Sequence, residues 1–258
     1  MQLSPADYAL WVAGTLLQLV LCSVLLRRRT HRAIPLFSVY VLLTTTRTLS
    51  LWWIYHDPTL EPGKVFNFYW VTQLLNLTAC GLAAAEVCWL TLRLHRGVWA
   101  LTWRLLAGVG VVLTVFAGAA AWQNTRWIDA VVLRAERGLE LAVAGLLLAL
   151  FAVSRYYGIR LQPTLRYIAI GLGFHAAIQV INNSLMFGYF QGFFPWWNVL
   201  RVLSFDIAVV IWCWGMRHPV TVAEPEPVLL EPRVYNELAP QVTYRLRELN
   251  SRLLEMLK

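Results

Sequence analysis

Seven stretches of the chain, at about 6–26, 34–55, 66–92, 98–122, 128–153, 164–188 and 196–216, are almost wholly apolar. Each is long enough for a helix to cross a bilayer, which takes about 20 apolar residues. Helices satisfy their own backbone polar groups, and hydrocarbon offers those groups no other partner. The pattern therefore predicts an all-α, polytopic membrane protein, a bundle of seven transmembrane helices over residues 1–218. The first stretch is not expected to be a cleavable signal peptide. It has no basic residues ahead of it, carries Asp7, and is followed by "RRRTHR".

Polar positions interrupt this pattern in one place above all. The sixth stretch contains "HAAIQVINNS", residues 175–184. At 100° per residue, Gly171, His175, Gln179, Asn182 and Met186 fall within a sector of roughly 80°, with Asn183 beside them. A polar face on a membrane helix points to protein or to a water-filled cavity, because lipid-exposed charge is costly. Other stretches supply partners: Arg47 in the second, Thr72, Asn76 and Glu86 in the third, Arg134, Glu136, Arg137 and Glu140 in the fifth, Arg201 and Asp206 in the seventh. At about 1.5 Å per residue, His175, Glu140 and Asp206 lie near the midplane. Arg47 and Asn182 lie in the outer third, Arg201 is shallow, and Glu86 stands apart near the inner edge. Arg201 and Asp206 are about 140° apart around one helix, so each needs a partner elsewhere. The expected pocket is thus His175, Gln179, Asn182, Arg47, Glu140, Arg201 and Asp206. The competing reading is a closed hydrogen-bond network that only fixes helix register.

Charge sets the topology. With the N-terminus outside, the inner loops hold ten arginines (Arg27, Arg28, Arg29, Arg32, Arg93, Arg96, Arg155, Arg160, Arg166 and Arg217) against Lys64 and Arg126 outside. Under the positive-inside rule this puts the N-terminus outside and the C-terminus in the cytoplasm, as a multi-pass protein of the cell inner membrane. The net charge of +8 then needs no nucleic-acid partner; anionic inner-leaflet lipid accounts for it. Only 14% of the 258 residues are charged and the mean hydropathy is +0.56, whereas soluble domains carry about 25% charge. Trp52, Trp53, Trp70, Trp122, Trp127, Trp196 and Trp197 at the outer ends, and Trp89, Trp99, Trp212 and Trp214 at the inner ends, read as aromatic belts.

After Met216 the composition changes. Residues 219–240 carry Pro219, Pro225, Pro227, Pro232 and Pro240 among glutamates, an extended linker. Residues 241–258 return to helical spacing, with Leu246, Leu249 and Leu253 on one side. This amphipathic helix is expected to bind the membrane surface, a cytoplasmic protein partner or a second copy of the chain.

Cys22, Cys80, Cys88 and Cys213 all lie inside expected helices, which argues against a disulfide framework, and no spacing suggests a metal site. No cofactor is expected. The only lysines are Lys64 and Lys258, so a retinal Schiff base in the seventh helix is excluded. The third stretch ends in "LTLRLHRG" and the seventh lacks Asn-Pro-x-x-Tyr, unlike G-protein-coupled receptors. A transmembrane bis-histidine haem needs more than His175, and a likeness to three-plus-one-plus-three sugar transporters rests only on Pro35 and Pro163 in basic loops. "YALWVAGTLLQLVLCSVLLRRR", "RGVWALTWRLL" and the tail "ELAPQVTYRLRELNSRLLEMLK" resemble bacterial seven-helix membrane proteins of the acidobacterial type. That resemblance implies a class and no activity.

No nucleophile–base pair, phosphate loop or metal motif is present, so an enzyme is not expected. The sequence leaves two expectations. The first is a receptor-like or scaffold protein with an outward-facing polar pocket and a cytoplasmic partner-binding helix. The second is a small-solute transporter or channel using the same polar cluster. A polar route continuing to Glu86 would favour transport, and a pocket closed below His175 would favour sensing.

Overall fold

A computed structural model describes residues 5–56, 61–93, 127–188 and 194–218, with isolated residues of 97–115 and 239–248. Within these spans the side chains of residues 5–7, 127–135, 137 and 183–198 are not described. The described residues form helices and no strand: α1 (Pro5–Arg27), a 3-10 turn (Thr30–Arg32), α2 (Pro35–His56), α3 (Pro62–Leu92), α4 (Trp127–Tyr156), α5 (Pro163–Gly188) and α6 (Phe194–Gly215). Four contain segments long and apolar enough to cross a membrane: Tyr8–Arg27, Pro62–Leu92, Gly138–Tyr156 and Pro163–Asn182. Of the expected fourth stretch, 98–122, only scattered residues such as Trp99 and Trp103 are described, all helical.

Proline fixes where these helices begin. α1, α2, α3 and α5 each open on one, and α6 has Pro195 as its second residue. A first-turn proline loses nothing, since the first N–H groups of a helix have no partner inside it and the fixed φ already suits the helix. This is why α3 starts at Pro62 rather than at the expected residue 66.

The six described helices form a closed ring. Each packs on its chain neighbour, α6 returns to α1, and α3 also reaches α5 across the middle. Leu148 is 72% exposed, with Leu16, Val20, Val111 and Val210 also strongly exposed. So much outward apolar surface suits lipid contact, not water.

One end of the ring is packed solid with Leu21, Leu25, Ile34, Phe37, Val87, Leu92, Leu147, Ile168, Val209 and Met216. Apart from Ile34, just before α2, and Met216, just after α6, these residues come from the second half of α1, α3, α4 and α6 and the first half of α2 and α5, so they share one side of the bundle. Trp212 sits among them at 1% exposure. Its indole N–H donates to the Ile168 carbonyl at 3.2 Å. A Cβ at Gly171 would collide with that indole, so only glycine lets α5 approach so closely. Trp212 is therefore a core residue and not part of the aromatic belt the sequence implied. Trp52, Trp53, Trp89 and Trp214 are exposed, as belt residues are.

The same end is stapled by polar groups. Arg28 Nη1 donates to the Met216 and Arg217 carbonyls at 2.7 and 2.8 Å, closing the C-terminus of α6. The Thr164 hydroxyl reaches the Gly215 and His218 carbonyls from the start of α5. Arg29 turns the chain in the left-handed region, with φ 54°.

The chain divides into two units, Met1–Val222 and Ala223–Lys258. The described residues of the second, within 239–248, are helical, and the Thr243 hydroxyl donates to the Ala239 carbonyl. Most of the 219–240 linker and Leu246, Leu249 and Leu253 lie outside the described residues.

Candidate functional site

Above the packed end, all six helices contribute to a polar cavity of about 210 Å³. Six of the seven residues expected from the sequence line it: Arg47 of α2, Glu140 of α4, His175 and Gln179 of α5, and Arg201 and Asp206 of α6. Asn182 does not line it. It lies almost one turn beyond Gln179 along α5, buried, with Oδ1 lacking a hydrogen-bond partner among the described residues. Helical angle put Asn182 on the right face, but depth along the axis separates it from the cavity. Asn183 has no described side chain.

The cavity also draws in residues the sequence reading had not placed there. Gln18 of α1 and Gln73 of α3 are buried amides at its wall, and Glu136 of α4 is almost fully buried. A lone glutamine in the first apolar stretch was the only signal for Gln18. Gln73 Nε2 donates to Glu136 Oε1 at 3.0 Å, and Arg201 Nη2 stands 3.8 Å from the same oxygen. Glu136 is thus an ion-pair partner of Arg201. The sequence had correctly kept Arg201 and Asp206 apart.

The other walls mix satisfied and unsatisfied groups. The Thr44 hydroxyl donates to Asn76 Oδ1 at 2.6 Å, which ties α2 to α3. The Thr48 hydroxyl reaches Gln18 Oε1 at 3.4 Å. Ser204 donates to the Arg201 carbonyl at 2.8 Å, so in a neutral His175 ring Nδ1 must donate to the Ser204 oxygen at 3.0 Å. That leaves His175 Nε2 as an acceptor. Arg47 donates Nε to the Thr72 hydroxyl at 3.3 Å and stacks over Tyr69 at 5.0 Å, but its Nη2 has no hydrogen-bond partner among the described residues. Asp206 lines the cavity at 8% exposure and makes no hydrogen bond or ion pair among the described residues. Its carboxylate lies against α1 at Gly14, where an added Cβ would come 2.6 Å from Oδ1.

Aromatic rings form the floor. Tyr40 and Phe205 line the cavity, and each meets Trp212 edge-on, at 6.1 and 6.0 Å between centroids. Phe37 closes on Trp212 from below at 5.2 Å. His175 packs on Phe205 at 5.3 Å. Glu86, on the far side of this layer, is fully engaged. Its two carboxylate oxygens accept the Leu36 and Phe37 N–H groups at 3.0 and 2.8 Å, capping the first turn of α2.

Among the described residues, no group of three or more histidines, cysteines and acids has a metal-binding arrangement. Compared with protein-family models, curated proteins and solved structures, the chain matches none.

Proposed function

We propose that this membrane protein is a receptor-like or scaffold protein of the cell inner membrane, with an outward-facing polar pocket in its helix ring. In this reading the N-terminus is outside and the tail is cytoplasmic, where the helix at 241–258 binds a protein partner or a second copy through Leu246, Leu249 and Leu253. The observation that carries the reading is the Tyr40–Phe205–Trp212 floor beneath the cavity. A transporter needs a polar route to both faces, and Glu86, the ionisable group past the floor that the sequence singled out, is committed to backbone N–H groups. Neither solvent nor a solute replaces two such bonds cheaply. Apolar walls with a few convergent polar groups are what bundle-core ligand sites look like. Transport through the same cluster remains the second reading, supported by the number of ionisable groups that line the cavity.

Proteoliposomes separate the two. With a pH-sensitive dye inside, the intact protein should pass protons and alkali cations no faster than empty vesicles, while Tyr40→Ala with Phe205→Ala should leak. Gradient-driven flux through the unaltered protein would overturn the sensing reading. In the same preparations, Leu246→Ser, Leu249→Ser and Leu253→Ser together should change oligomeric size or partner retention with the bundle still folded. Unchanged size and retention would remove the tail from the mechanism.

A further inference from the structure

Two opposite charges line the cavity without an ion-pair partner among the described residues: Asp206 on α6 and Arg47 on α2. Charge left unpaired in a low-dielectric interior is costly, and the structure supplies other acids and bases with partners close by. Glu136 has both Arg201 and Gln73. Asp206 instead rests on the bare backbone of Gly14, and both residues line the cavity. Arg47 is held by Thr72 and Tyr69, but Nη2 lacks an acceptor.

The two charges lie on helices that flank α1 in the ring. Arg47 is 12 residues from the start of α2, and Asp206 is nine from the end of α6, counted from the same side of the bundle. At 1.5 Å per residue their depths differ by about 4.5 Å. Gln18, one turn after Gly14, fills the wall between them and is joined to Thr48 beside Arg47. Trp11, Tyr40 and Phe205 provide apolar and π surface in the same cavity, which suits an ammonium group. An engineered cavity of about 150 Å³ holds benzene, so 210 Å³ sets a limit of roughly eight non-hydrogen atoms on that scale.

We propose that the cavity binds a small zwitterion, its ammonium on Asp206 and its carboxylate on Arg47, with the charges separated by a short chain. The inference rests on the pocket reading above and names its ligand class.

The test is titration of the purified full chain with glycine, 4-aminobutanoate, 6-aminohexanoate, butylamine and butanoate, read by thermal midpoint and calorimetry. At least one zwitterion should raise the midpoint and bind at least tenfold tighter than either single-charge analogue. Asp206→Asn should weaken that zwitterion and butylamine at least tenfold and leave butanoate unchanged; Arg47→Gln should do the reverse. Gly14→Ala, which keeps every charge but crowds the Asp206 carboxylate, should weaken both amines and serves if Asp206→Asn does not fold. Binding of butylamine or butanoate as tight as any zwitterion overturns the ligand class and leaves the pocket standing. No binding of any of the five by folded protein overturns the proposal. Pocket access is measured separately by thiol labelling, so its failure is distinguishable.

Discussion

A Trp212→Ala protein is expected to lose about 3 kcal/mol or more of stability, the lower end of the range for emptying a large core site. In a bilayer the transfer part of that cost is small, because lipid is as apolar as the core. What remains is packing. Trp212 touches Phe37, Tyr40 and Phe205, and α5 carries Gly171 to receive its ring. Alanine would leave a void lined by atoms that lose their dispersion partners, and the Ile168 carbonyl would lose its donor. Unfolding in mixed micelles checks this, with Trp212→Phe as the variant that should retain most of the stability. A loss under about 1 kcal/mol for the alanine variant would mean the floor is not tightly packed.

Glu86→Leu is expected to cost about 2–5 kcal/mol, since it strands one buried and one part-buried N–H group at about 1–3 kcal/mol each. The desolvation of the carboxylate is recovered, which keeps the sum below the simple total. Glu86→Gln is not conservative here. Its one carbonyl oxygen must replace two carboxylate oxygens that each take a separate N–H, and its amide would point a donor where the second acceptor was. Roughly half the loss should therefore remain in the glutamine variant. The readout is again the unfolding midpoint. Unchanged stability with altered ion flux would instead place Glu86 on a conduction path.

The helices were legible because lipid imposes one strong pattern: a run of apolar residues with no amphipathic stripe. Proline at the first turn refined their starts, most clearly at Pro62. The polar face of α5 was legible for the same reason, since His175 and Gln179 have no cause to sit in hydrocarbon. Partners were not. Glu136 meets Gln73 and Arg201 from sequence positions 63 and 65 residues away, and Glu86 caps a helix about 50 residues upstream. Side-chain angle on one helix says nothing about which neighbour faces it. Depth was also too coarse to exclude Asn182, less than one turn past Gln179. Trp212 was misread because an inner-end tryptophan looks the same at an interface as in a core. Only Gly171 on α5 marks the difference, and that pairing spans 41 positions.

The most direct measurement uses two thiols on either side of the floor. Thr48 lines the cavity, while Cys88 is fully buried among the packed residues below it. In a chain with Thr48→Cys that keeps Cys88, and with Cys22, Cys80 and Cys213 replaced by alanine, a charged, membrane-impermeant thiol reagent is applied to one face at a time. The expected result is fast labelling at position 48 from the N-terminal side alone, with Cys88 unreactive from both. A folded protein in which position 48 stays unreactive would reduce the cavity to a closed structural network, and labelling of Cys88 from the opposite face would make the bundle a path across the membrane.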